Sequence, residues 1–157
     1  MQPITPFLWY NGQAEEAATF YTSIFKDSQL LEVKRWGPGG PAPAGSVMSA
    51  TVRLRGQELI LFNGGPHYQL TSAFSLMVRC QTQAEIDELW DKLPAGGQLQ
   101  RCGWLTDRFG VTWQIIPDVL VKLLTDPDPE KAKRVTQAMM QMVKLDIAGL
   151  KKAHAGG

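Results

Sequence analysis

The chain has 157 residues, 44% hydrophobic and 20% charged, proportions that fit a folded globular protein and exclude a disordered one. That length supports one well-packed domain or two intimately joined half-domains, burying about 70% of the surface of the extended chain. With 16 Lys and Arg against 15 Asp and Glu the formal net charge is +1, so no global field steers the protein toward nucleic acid or an anionic membrane.

The N-terminal Met-Gln-Pro-Ile-Thr-Pro has no basic stretch followed by an apolar one, and no window approaches 18 uninterrupted apolar residues. These features argue against a signal peptide and a membrane span and toward a cytoplasmic protein. Thr5 to Asn11, rich in aromatic and branched residues, predicts a strand ended by Asn11-Gly12. From Gln13 to Phe25 the apolar positions Ala14, Ala17, Ala18, Tyr21, Ile24 and Phe25 recur with helical spacing, and Glu15-Glu16 sits in the first turn, where the helix dipole favours acids. Ser28 to Trp36 predicts a second strand. Gly37 to Gly45, with three prolines, can hold no regular ladder and reads as a mobile lid or spacer. Ser46 to Arg55 alternates, with Met48, Ala50, Val52 and Leu54 on one face and Ser49, Thr51, Arg53 and Arg55 on the other. A turn at Gly56-Gln57 leads into a strand from Glu58 to Asn63, and Gly64-Gly65-Pro66 closes the first half.

The second half repeats this order. Ala73 to Cys80 predicts a strand, and Thr82 with Glu85 forms a capping box before a helix whose apolar stripe is Ile86, Leu89, Trp90 and Leu93. Pro94 to Gly97 ends that helix. Short strands follow near Gln98 to Arg101 and at Trp104 to Asp107, then a turn at Arg108 to Gly110 and a strong strand from Val111 to Ile116, stopped by Pro117. Beyond it comes an apolar segment, Val119 to Leu124, and then a helix capped by Asp128 with Pro129 at its first position, running to about Met142. Leu145 to Leu150 adds another turn or two, and His154 to Gly157 is expected to fray. After Asp118 there are seven basic and four acidic residues, against nine and eleven in the first 118, so this extension is mildly basic against a mildly acidic body. The two cysteines, Cys80 and Cys102, are too few for a disulfide framework and read as reduced thiols.

Two modules of strand, helix and three strands, each with a helix on only one sheet face, leave the other face of each sheet in need of cover. The expected fold class is therefore α+β: two βαβββ modules forming a curved mixed sheet around a cavity, plus a C-terminal helical extension. The modules, about 1–66 and 70–118, are expected to form one domain spanning 1–118. The segment 119–157 would pack on that domain or on a dimer partner.

The stretch from Cys102 to Pro117, Cys-Gly-Trp-Leu-Thr-Asp-Arg-Phe-Gly-Val-Thr-Trp-Gln-Ile-Ile-Pro, resembles the signature of PhnB-like, 3-demethylubiquinone 3-methyltransferase-like proteins. These are a branch of the vicinal oxygen chelate superfamily, which includes glyoxalase, bleomycin resistance and extradiol dioxygenase proteins. Phe7 to Gly12 with Glu15 to Ala17 and Phe20-Tyr21, Leu89 to Leu93 with Gly96-Gly97, and Met139 to Leu150 are similar to other parts of the same family. The resemblance implies a homodimer, with modules sometimes paired across subunits, and a ligand site in the shared interior. It also places the metal ligands of the metal-dependent relatives near Thr5, Ala73 and Gln114 and among Leu59 to Phe62. Of these only Gln114 offers a coordinating side-chain oxygen, and a neutral amide is a poor substitute for a carboxylate or imidazole. The two histidines, His67 and His154, lie in a turn and the tail. No metal site and no cofactor is therefore expected. The strand, glycine-rich turn and helix that commonly hold S-adenosylmethionine do not occur either.

What remains is a pocket walled by rings. If Thr5 faces inward, parity sends Phe7 and Trp9 with it, and on the last strand Thr112, Gln114 and Ile116 share a face. Trp104, Trp36 and Phe62 supply walls or rim. The candidate ligand-binding residues are Trp9, Gln114, Thr112, Trp104, Phe62 and Phe7, suited to a small apolar or aromatic molecule that stacks on the rings while the amide and hydroxyl orient it. Core packing is the competing reading for Phe7 and Trp9. Asp107 to Gly110 reads as a hairpin turn, Cys102 as an inert thiol, and Arg53 and Arg55 as exposed charges. The leading functional reading is a metal-free small-molecule binding protein or an enzyme of this superfamily whose catalytic residues the sequence does not reveal. The alternatives are a noncatalytic structural or protein-interaction homodimer, and a metal-dependent lyase or dioxygenase with atypical ligands. Nucleic-acid binding is disfavoured because the basic residues form no stripe.

Overall fold

A computed structural model describes residues 2–157. They fall into two compact units, one ending at Leu70 and the other spanning Thr71–Gly157. The first contains β1 (Phe7–Tyr10), α1 (Ala14–Ile24), β2 (Ser28–Arg35), β3 (Val47–Leu54) and β4 (Gln57–Asn63). Its four strands are ordered β1-β4-β3-β2, with β1 parallel to β4 and the other pairs antiparallel.

Period-two alternation buries Leu8, Tyr10, Ala50, Val52, Leu54, Leu59 and Leu61. Helix α1 packs against β2, β3 and β4. It does so through Ala14, Ala17, Ala18, Tyr21 and Ile24, three of them alanines that let the helix approach the sheet closely. The hydroxyls of Tyr10 and Tyr21 share a bond of 3.1 Å within this layer.

One sequence expectation is corrected in this unit. The β3–β4 turn is Arg55-Gly56 rather than Gly56-Gln57: Leu54 pairs with Gln57, and both loop residues have positive φ, 49° and 86°. This is the two-residue hairpin whose twist matches the strands, so Arg55 belongs to the turn and not to a strand face. The Gly37 to Gly45 segment is closed at its base, where the chain leaves and rejoins the sheet. Trp36 N donates to Ser46 O at 2.9 Å, Gly45 N to Trp36 O at 2.8 Å, and the Arg35 guanidinium to Gly45 O at 3.0 Å.

The second unit repeats the topology with β5 (Ser75–Cys80), α2 (Gln83–Lys92), β6 (Gln98–Leu99), β7 (Trp104–Thr106) and β8 (Thr112–Pro117), ordered β5-β8-β7-β6 with β5 parallel to β8. The protein is thus an α+β fold of two βαβββ modules with C-terminal helices, each module having its own four-stranded mixed sheet. The capping box opens α2 as expected: Glu85 N donates to Thr82 Oγ1 at 3.2 Å, while the Glu85 carboxylate accepts from Gln81 N at 3.0 Å. Ile86, Leu89 and Leu93 are buried, as are Val78, Cys80, Leu105, Trp113 and Ile115.

After β8 come α3 (Asp118–Leu124), α4 (Pro129–Met140) and α5 (Ile147–Ala155). Leu120, Leu123, Val135, Leu145 and Leu150 form one buried cluster with Ile116, so the extension closes over the end of β8. Asp128 caps α4, accepting from Glu130 N at 3.0 Å, with Pro129 at the first position. The extension departs from expectation at its end. Helix α4 stops at Met140, and Asp146 caps a separate α5. The tail does not fray: the Arg134 guanidinium donates to Ala153 O and His154 O, each at 2.9 Å, and His154 Nε2 lies 2.7 Å from Asp126 Oδ2. Long-range partners supply what a local reading of a small-residue tail could not include. Among the described residues no helix is long and apolar enough to cross a membrane.

Candidate functional site

In the first unit, strand parity turns Phe7, Trp9, Ile60 and Phe62 to the sheet face opposite α1, and the register sets Phe7 beside Ile60 and Trp9 beside Phe62. Their rings meet there. Phe62 is the hub, with centroids 5.1 Å from Phe7, 5.4 Å from Trp9 and 6.3 Å from Trp36. Tyr68, just beyond the strand, stands edge-on to Trp9 at 4.9 Å. Phe7 and Tyr68 remain 58% and 68% exposed, so this aromatic face is a surface and not a sealed core.

Trp9 is held from behind. Its Nε1–H donates to Gly65 O at 2.8 Å. The indole crosses the backbone at Gly64 so closely that a Cβ there would lie 2.2 Å from Cζ2. Only glycine fits, and the pair Gly64-Gly65, which the sequence marks merely as a turn, sets the orientation of the tryptophan. On β3 the same face carries Ser49 opposite Phe62 and Thr51 opposite Ile60. Its charged end is self-compensated, with Arg53 and Glu58 2.7 Å apart.

In the second unit, the face opposite α2 presents Thr112, Gln114 and Ile116 on β8 and Ser75, Met77 and Arg79 on β5, in register. Gln114 Nε2 donates to Ser75 Oγ at 2.9 Å, and Thr112 Oγ1 and Ser72 Oγ are 2.9 Å apart. Trp104 is the cross-strand neighbour of Gln114. Phe7, Trp9 and Phe62 are thus gathered in one unit, and Trp104, Thr112 and Gln114 in the other. Tyr68, Ser72 and Ser75 were not singled out by the sequence, because they come from loops or strand ends whose placement depends on the fold.

The metal positions implied by the resemblance can be tested on these faces. Thr5 and Ala73 precede their strands. On these faces the first and last strands offer, as oxygen ligands, Glu58, already paired with Arg53, the hydroxyls of Ser75 and Thr112, bonded to Gln114 Nε2 and Ser72, and the neutral amide oxygen of Gln114. Among the described residues no three His, Cys, Asp or Glu side chains come together in a way that could hold a metal ion. The donor set does not fit a divalent cation.

The remaining candidates have structural roles. Asp107 is buried, and its carboxylate accepts from Phe109 N (2.9 Å), Val111 N (3.1 Å) and Trp113 Nε1 (2.9 Å), while Gly110 adopts φ 94°. This is the turn read from the sequence, with an indole bond added. Cys102 is half-buried with φ 60°, and its N–H donates to Met142 O at 2.9 Å.

Comparison with known proteins places these elements among relatives. The family model described as 3-demethylubiquinone-9 3-methyltransferase matches residues 2–116. The expected resemblance over Met139 to Leu150 lies outside that match. Among solved structures, a putative 3-demethylubiquinone-9 3-methyltransferase, PhnB protein, from Bacillus cereus is 38% identical with a TM-score of 0.68, covering 74% of this chain and 99% of that one. Protein PA1353 from Pseudomonas aeruginosa is 26% identical with a TM-score of 0.61, covering 75% and 100%. The fosfomycin resistance protein FosX from Listeria monocytogenes, 12% identical with a TM-score of 0.55 over 78% of this chain and 97% of that one, shares the fold alone. A comparison with curated proteins finds no match.

Proposed function

The chain belongs to the 3-demethylubiquinone-9 3-methyltransferase family, and from that premise we propose that it is a small-molecule binding protein whose planar, largely apolar ligand lies on the aromatic face of the first sheet. The observation that carries this reading is the ring cluster of Phe7, Trp9, Phe62 and Tyr68 on a face that α1 does not cover, with Trp9 locked over Gly64. Rings held at fixed angles offer stacking and edge contacts without loss of side-chain freedom on binding. The second unit supplies different chemistry, an amide and hydroxyls beside Trp104, suited to orienting polar groups by hydrogen bonds. A homodimer is the assembly expected of such a family member, to be read from the sedimentation-equilibrium mass.

The family's description implies a methyl donor, and the residues do not fit the usual way of holding one. The β1–α1 connection, Asn11-Gly12-Gln13, has a single glycine, and the first helical N–H, at Ala14, is taken by Asn63 Oδ1 at 2.9 Å. The β5–α2 connection has no glycine and is capped by its own Thr82. No methyl transfer is derived from this arrangement.

The test is titration with an uncharged naphthalene derivative, following the tryptophan indole N–H signals by NMR. The Trp9 signal is expected to shift first, and Trp9→Leu to weaken binding about 5-fold, the scale of one aromatic contact. A titration that leaves Trp9 unperturbed while the protein stays folded refutes the reading.

A further inference from the structure

The aromatic face carries a polar feature that its packing does not use. Ser49 and Thr51 point from β3 onto that face, opposite Phe62 and Ile60, and are only 6% and 7% exposed. Neither hydroxyl has a hydrogen-bond partner among the described residues, whereas Ser72, Ser75 and Thr112 of the second unit are all bonded. A hydroxyl set this deep without a protein partner is met either by water or by an acceptor on a ligand. No fully enclosed polar side-chain atom among the described residues lacks a partner, so both oxygens remain reachable from outside.

The charges around them are already compensated. Glu32 and Lys34, the β2 neighbours of Thr51 and Ser49, lie 3.9 Å apart, and Arg53 is bonded to Glu58. The indole N–H of Trp9 is spent on Gly65 O.

We infer that Ser49, with Thr51 next along the strand, is the polar recognition point of the aromatic face, and that the ligand is a neutral planar ring system bearing a carbonyl oxygen. The inference rests on the binding reading above and deepens it. The ring lies on Phe62 and Trp9, and the carbonyl accepts a hydrogen bond from the Ser49 hydroxyl, which stands directly across from Phe62. A charged head group would need a counter-charge that this face has already consumed, and a pure hydrocarbon would leave the two hydroxyls dry.

The experiment compares 2-acetylnaphthalene with 2-ethylnaphthalene, probes of equal ring and similar size that differ in the ketone, by indole NMR titration of the full chain. The ketone is expected to bind about 5-fold more tightly, the scale of one neutral hydrogen bond. Ser49→Ala combined with Thr51→Val, both close in shape to the originals, should erase that preference, with the ethyl compound bound at least as tightly as before. Equal affinities in the unaltered protein, or a preference that survives in the double variant, overturn the inference while binding to the rings stands. If neither compound shifts the Trp9 signal, both readings fall together.

Discussion

Asp107 sits among three donors, and removing its carboxylate affects all of them. The indole N–H of Trp113 and the backbone N–H groups of Phe109 and Val111, buried or half-buried, would each lose this charged acceptor. Asp107→Ala should therefore cost about 3 kcal/mol or more in urea unfolding. A loss under about 1 kcal/mol would mean that the turn is held by its backbone bonds alone. Gly64 is the second residue with a specific demand. A methyl group there lies 2.2 Å from the Trp9 ring, so Gly64→Ala should swing the indole off Gly65 O and move its N–H signal toward the solvent-exposed value. Strand alternation makes Phe7, Trp9 and Phe62 legible in the sequence as residues of one face. The empty hydroxyls of Ser49 and Thr51 are not, because a missing partner is a property of everything packed around a residue.

At the scale of elements, the turn after α2 depends on a close approach. The backbone of Gly97 runs against the β7–β8 turn, where a Cβ would lie 2.0 Å from Thr106 O. Gly97→Ala must displace backbone, and the expected loss is about 1–3 kcal/mol, measured as a lower urea midpoint with an unchanged slope. The end of α5 depends on Arg134 and Asp126. Truncating Arg134 to Met removes two charge-assisted bonds to the carbonyls of Ala153 and His154, and amide exchange over 150–157 should quicken. Asp126 accepts from Asp128 N and from His154, and these bonds hold its carboxyl below the ordinary value. A carboxyl whose folded value is depressed stabilises the native state fully above the ordinary carboxylate range, about pH 4. That contribution disappears as pH falls through the folded value. The α5 docking should therefore loosen in acid below about pH 4, and Asp126→Asn should flatten that dependence in exchange rates measured across the range.

For the whole molecule, the extension is part of how the second unit is built. It covers Ile116 with Leu120, Leu123, Val135, Leu145 and Leu150, and the carbonyls of Met142 and Val143 receive the N–H groups of Cys102 and Gly103. A chain ending at Pro117 should lose amide protection over 104–116 while the strands of the first unit keep theirs, because the latter have a separate core. Retained protection in both would show that α3 to α5 serve something other than the second unit.

The sequence by itself determined the two strand–helix–three-strand modules, the capping box of α2, the Asp107 turn and the ring-bearing face, because each is written in alternation, helical spacing or turn chemistry over a few neighbouring residues. It could not determine the anchoring of the tail by Arg134 and Asp126, the locking of Trp9 by Gly64, or the idle hydroxyls on β3. Those depend on residues distant in the chain that become neighbours when the sheets and helices pack, and local pattern carries no record of such meetings.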